Sequence, residues 1–301
     1  MPTVSAGAAE LYCEVRGRGP PVLLIMGATG DAGHLAPVAE ALADEFTAVV
    51  YDRRGNSRSP PPARWGATSV EEQADDAAAL LGALGLSPAG VFGTSSGGVL
   101  ALGLAIRHPG AVRGAILHEP TLYSVLRRPE ETLSEIAATV REGLAAGGEA
   151  GAVEAFWRHV GGDAGWEGLA PDLRARMVAN AGTFFGKERA PFAAWRPEDA
   201  ALAAVAVPVE LLVGEESLPF FAERPPGSPA AWAPRFAPPR APTRPMWTAH
   251  ASSRGRSGPS SGRSPARRRP PGRGPTPSRR RAPRRRAGRP LRARRPRAAG
   301  R

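Results

Sequence analysis

The 301-residue sequence predicts an α/β fold: a mostly parallel sheet with helices on both faces, a helical cap, and a disordered basic tail. Three observations predict it. Short apolar runs alternate with helix-length segments through residues 1–223, the pattern of a parallel sheet covered by helices. Between Pro120 and about Ala206 the alternation gives way to an aromatic-rich helical stretch, too long to be a simple connection. From Arg224 onward there is no Ile or Val, and 17 Pro and 23 Arg crowd into the last 78 residues, a composition unable to bury a core.

Along the chain, Glu10 to Val15 reads as an edge strand. Pro21 to Met26 (PVLLIM) is a continuous apolar run suited to a strand buried on both faces. It ends in Gly27-Ala28-Thr29-Gly30, and a helix is expected around Leu35 to Asp44. Phe46 to Asp52 is a second buried strand. Ser69, followed by Glu72 at the third helical position, signals a helix start running to about Leu84. Gly90 to Phe92 is a short strand, Gly97 to His108 a helix, Val112 to Leu117 a strand, and Val207 to Val213 the last clear strand. The cap is placed at about 121–206. Its Phe156, Trp157, Trp166, Phe184, Phe185, Phe192 and Trp195 either line an apolar pocket or pack the cap onto the sheet.

Composition narrows the function. A single cysteine, Cys13, excludes a disulfide scaffold and a cysteine-based zinc cluster. No apolar run is long enough for a membrane span, and the first residues lack a secretory pattern, so a cytoplasmic protein is expected. The net charge of +12 suits a nucleic-acid binder until it is divided: 23 of the 40 basic residues and no acid lie in 224–301. The remaining 17 basic and 28 acidic residues give residues 1–223 a charge of −11.

The chemistry lies in Gly93-Thr94-Ser95-Ser96-Gly97, which fits the Gly-x-Ser-x-Gly nucleophile elbow and stands directly after a strand and before an apolar helix. That context lifts the Ser95 hydroxyl above the sheet and aims the Ser96 N–H, at a helix N-terminus, toward a developing negative charge. On these residues the chain resembles the α/β-hydrolase family over about residues 8–223. Met26-Gly27-Ala28 stands where that family usually shows His-Gly-x, and Asp52 to Ser59 is similar to its Asp-x-Arg-Gly-x-Gly-x-Ser loop. The resemblance implies an oxyanion hole from the Ala28 and Ser96 amides. No metal cluster or dinucleotide fingerprint is evident in the sequence, so no cofactor and no metal are expected. It implies a triad acid at Glu119, which ends the strand after the elbow helix, or alternatively at Glu216, near the end of the last strand.

The base is missing from the expected place. His34, His108, His118 and His159 come too early in the chain for this family, and only His250 lies downstream, inside the tail. The tail itself reads as a GC-rich gene out of frame. Met246 and Trp247 each have one codon, and starting one base earlier converts Ala241 to Thr248 into a sequence compatible with Gly-x-His-x-x-His-Val-Asp, the first of these histidines at Thr243. The shifted codons of Ala251 to Gly262 then suit an amphipathic final helix.

The expected function is a serine-nucleophile hydrolase for a small carboxylic ester or related acyl compound, impaired because the chain lacks its base and the final elements of the fold. The other reading is a non-catalytic α/β domain whose Arg-rich tail, if genuine, binds nucleic acid or acidic surfaces.

Overall fold

A computed structural model of the chain describes residues 3–63, 65–215 and 217–223, together with the backbone of 235–237. All belong to one compact unit, Met1–Arg256.

Eight strands form one sheet in the order β1-β2-β4-β3-β5-β6-β7-β8. They are β1 (Thr3–Ala6), β2 (Ala9–Arg16), β3 (Pro21–Ile25), β4 (Thr47–Tyr51), β5 (Ala89–Thr94), β6 (Val112–His118), β7 (Val209–Gly214) and β8 (Arg235–Ala237). The pairs β1/β2 and β2/β4 are antiparallel, and every later pair is parallel. Glu10 to Val15 is therefore not the edge, because β1 pairs outside it. The four residues of β1 alternate too briefly to stand out in the sequence.

In β3, Leu23 and Ile25 face one core while Leu24 faces the other, as the two-residue period of a strand requires. The first core is closed by α2 (Val70–Ala83) and α3 (Ser96–Arg107). The second is closed by α1 (Ala32–Leu42) and by helices between β6 and β7. The Ser69 side chain caps α2 by accepting from the Glu72 N–H at 3.1 Å. Helix α1 begins three residues earlier than expected because Asp31 caps it, with His34 closing a reciprocal bond usually made by Glu or Gln.

The segment between β6 and β7 is helical, as expected for the cap. It comprises α4 (Pro129–Glu167), α5 (Pro171–Ala179), α6 (Ala181–Thr183), a π-helical turn at Phe184–Glu188, α7 (Arg189–Ala194) and α8 (Asp199–Ala203). Non-helical backbone at Gly147, Gly148 and Gly162 breaks α4. Among the described residues no helix is long and apolar enough to cross a membrane.

Within the segment expected to lack regular structure, the backbone of Arg235–Ala237 pairs with β7 from Leu212 to Gly214. That pairing satisfies backbone groups that an edge strand leaves open. The remainder of 224–301 lies outside the described residues. On the face of the sheet shared by Leu24 and Phe92, the next strand presents Ile116, which is 40% exposed.

Candidate active site

Ser95 occupies the junction between β5 and α3 with φ 56° and ψ −124°, a conformation that costs a non-glycine residue of order 1–3 kcal/mol. The turn is held on both sides. The Ser95 N–H donates to the His118 carbonyl at 2.9 Å, and the Gly98 N–H donates to the Ser95 carbonyl at 2.9 Å. The flanking glycines are required by close approach: a Cβ at Gly93 would lie 2.1 Å from the Gly97 carbonyl oxygen, and one at Gly97 would lie 2.2 Å from that of Ile25. The motif thus folds as a sharp turn because its glycines let α3 pack directly on β3 and β5.

Ser96 is the first residue of α3, so its N–H has no acceptor within the helix. Ala28, on the loop after β3, borders the same cavities as Ser95. That loop is fastened from beneath by Arg53, 2% exposed, which donates through Nε to the Met26 carbonyl at 3.1 Å and through Nη2 to the Gly27 carbonyl at 3.0 Å. The Arg53 charge is met by fully buried Glu188, whose Oε1 also accepts from Gln73 and Asn56. Asp52 accepts from the Ala32 N–H and takes the Arg58 guanidinium on both oxygens, while Arg54 forms a bidentate pair with Asp76 at 2.6 Å. The loop from Asp52 to Ser59 is therefore a support for the Met26–Ala28 turn.

Glu119 follows β6 with φ 47°. Its Oε1 accepts from the Gly214 N–H at 3.2 Å and from the Ser217 hydroxyl, so it joins the ends of β6 and β7. The Ser217 hydroxyl thus serves as a donor to Glu119. Glu119 and Ser95 line one cavity together with Phe156, Trp157 and Phe221. Glu216 lies outside the described residues.

Three of the described histidines, His34, His108 and His118, have side-chain partners, and His118 Nε2 lies 3.9 Å from Glu119 Oε1. His118 bonds to the Thr94 hydroxyl through Nδ1 at 2.9 Å and stacks on Phe92; burial lowers its pKa, with the Glu119 charge acting in the opposite sense. His34 pairs with Asp31 and His108 with Asp75. His159 sits on α4, and neither it nor another described histidine lines the cavities beside Ser95. His250 and Thr243 lie outside the described residues.

A second cavity beside Ser95 encloses about 390 Å³, counting space open to solvent, and is bordered by Tyr123, Ile136, Phe156, Phe184, Arg189 and Phe192. Of the seven cap aromatics, Phe156, Trp157, Phe184 and Phe192 thus face the site. The others pack: Trp195 donates to Glu71, Trp166 lies under Arg174, and Phe185 joins the Phe156–Phe184 cluster. Sequence reasoning missed Tyr123 and Arg189. No local motif marks them, because both reach the cavity through the path of the cap.

Comparisons with known proteins bear on the fold as a whole. The family model described as alpha/beta hydrolase fold matches residues 20–174, just over half the chain. YraK of Bacillus subtilis, an uncharacterized hydrolase, is 44% identical over 128 residues, 42% of this chain and 47% of that protein. The matched part thus spans about half the length of that relative. An α/β hydrolase from Sphaerobacter thermophilus superposes with a TM-score of 0.56 at 26% identity, covering 79% of this chain and 91% of the other. A thermophilic esterase from Thermogutta terrifontis gives a TM-score of 0.60 at 23% identity over 78% and 89%, a likeness of fold. With its parallel sheet, its strand–turn–helix at Ser95 and this family match, the chain belongs to the α/β hydrolase fold family.

Proposed function

We propose that the chain is a serine hydrolase for a small ester or related acyl compound. In this reading Ser95 is the nucleophile, the Ala28 and Ser96 amides form the oxyanion hole, and Glu119 is the triad acid. The observation that carries it is Ser95 itself: a strained residue at the head of α3, opening on two largely apolar cavities, one of which Glu119 shares. The hydrolase name of the Bacillus relative supports the same class of reaction.

Ser95 Oγ attacks the acyl carbonyl carbon, and the charge that develops on oxygen is taken by the two amides. The tetrahedral adduct collapses to an acyl-serine as the alcohol leaves with a proton, and water then releases the acid. Both proton transfers need a base. We propose that the base is the histidine encoded at Thr243 when the gene is read one base earlier, and that the same frame supplies the final helix. The exposed Ile116 on β6 supports the second half of this reading, since an amphipathic helix would bury it.

The test compares the unshifted chain with a chain in which one base restores the shifted frame after about residue 223. Hydrolysis of p-nitrophenyl acetate should rise by at least about 10³-fold in the restored chain, the scale on which a triad member matters. Ser95→Ala in that chain should return it to the unshifted level. Equal turnover by both chains would contradict the assignment of the base.

A further inference from the structure

The cavity lined by Ile136, Phe156, Phe184 and Phe192 is largely apolar, and besides Ser95 and Ser96 its polar lining comes from Thr121, Tyr123 and Arg189. The Arg189 charge acts on Tyr123, whose N–H donates to the Thr121 carbonyl. Arg189 is half-buried and, among the described residues, its guanidinium makes no ion pair or hydrogen bond. The contrast with its neighbour is informative. Glu188, one residue earlier, is fully buried and turned to Arg53 on the far side of the chain, so it does not neutralise Arg189. The two side chains diverge as consecutive helical residues do, about 100° apart, at the point where a π-helical turn, Phe184–Glu188, runs into α7 at Arg189. Such turns insert one residue and re-aim the side chains beyond them, and they occur often at functional sites.

The hydroxyls of Thr121 and Tyr123, both largely buried, also have no hydrogen-bond partner among the described residues. Burial pushes the Tyr123 phenol up, so it remains a donor, and the nearby Arg189 charge acts against that shift. An apolar cavity carrying three unpartnered donors, one of them cationic, is built for an anion at the end of a hydrocarbon segment. A planar guanidinium beside two hydroxyls suits a carboxylate in particular.

We propose that this cavity binds the acyl part of the substrate and that Arg189, with Tyr123 and Thr121, selects an acyl chain ending in a carboxylate, such as a half-ester of a short dicarboxylic acid. The inference rests on the serine-hydrolase reading for the meaning of "acyl part", but the selection itself is a property of binding.

The test therefore uses binding of unreactive ligands to the full chain. Adipic acid monoamide and hexanamide have the same length and differ in the terminal carboxylate; their dissociation constants are measured by calorimetry. The monoamide should bind about 10- to 100-fold more tightly, the scale of a charge-assisted pair. Arg189→Gln should reduce that preference to about twofold or less while leaving hexanamide unchanged, and Arg189→Lys should keep part of it. Equal binding of the two ligands, binding of neither, or a preference that survives Arg189→Gln would overturn the proposal. A parallel fluorophosphonate experiment on the restored-frame chain, which carries the proposed base, separates it from the catalytic reading. A carboxylate preference without modification of Ser95 would retain the site and reject the hydrolase. Modification of Ser95 without a preference would do the reverse.

Discussion

Replacing Glu188 by Ala should destabilise the fold far more than its distance from Ser95 suggests. Glu188 is fully buried and meets the charge of Arg53, itself 2% exposed. Without it Arg53 keeps three neutral acceptors, the carbonyls of Met26 and Gly27 and the Gln73 side-chain oxygen, but no described carboxylate. Gln73 Nε2 and Asn56 Nδ2 lose an acceptor as well. Stripping one partner from a buried pair costs about 3–5 kcal/mol, and three leftover acceptors place the expected loss near the middle, at about 4 kcal/mol. With a urea slope of about 3 kcal/mol per molar, the midpoint should fall by about 1.3 M. The double change Arg53→Met with Glu188→Leu removes both charges and should be less destabilised than either single variant. A loss under about 1 kcal/mol in Glu188→Ala, or a double variant as unstable as the sum of the singles, would refute the view that this pair fastens the Met26–Ala28 loop.

Two other perturbations test the same geometry. Ser95→Gly should raise stability by about 1 kcal/mol in urea denaturation, because glycine relieves the positive-φ strain at a small entropic cost in the unfolded chain; a destabilised variant would show that the turn is not strained. Asp31 is pushed up by burial, but its bonds and charge interactions with His34 and Arg176 outweigh this and hold it well below the usual carboxylate range. Its contribution is therefore complete above the unfolded value near 3.9 and declines as pH falls below about 4 toward the depressed folded value. Urea midpoints measured between pH 5 and pH 3 should decline less steeply in Asp31→Asn, and an unchanged slope would contradict the linkage.

The parts of the fold legible in sequence were those fixed by short-range physics. Buried parallel strands announce themselves as apolar runs, and PVLLIM and FTAVVYD became β3 and β4 within a residue or two. Ser69 with Glu72 marked the start of α2 because a side-chain cap leaves a local signature. Strand β1 escaped because four residues carry almost no period, and α1 was placed late because His34 closes its cap in a role usually held by Glu or Gln. The same division runs through the site. Ser95 and Ser96 stand at the junction of β5 and α3, which the Gly-x-Ser-x-Gly pattern marks, while Ala28, on the loop after β3, and Glu119, just after β6, were reached through the family resemblance. Arg53 and Glu188 are 135 residues apart, and Arg189 borders the cavity only through the path of the cap; neither leaves a mark in a single window of sequence. The 40% exposure of Ile116 on β6 had no counterpart in the strand reading, since exposure depends on what packs over a strand and not on its own residues.

The central claim is that Ser95 is a nucleophile placed against an oxyanion hole but deprived of its base. Its most direct measurement is intact-mass and peptide analysis after reaction with a fluorophosphonate, on the unshifted chain, the restored-frame chain and Ser95→Ala. The account predicts one adduct, on Ser95, formed rapidly in the restored chain, slowly in the unshifted chain and not at all in Ser95→Ala. An adduct on another residue, or labelling of Ser95 at the same rate in both frames, would contradict it.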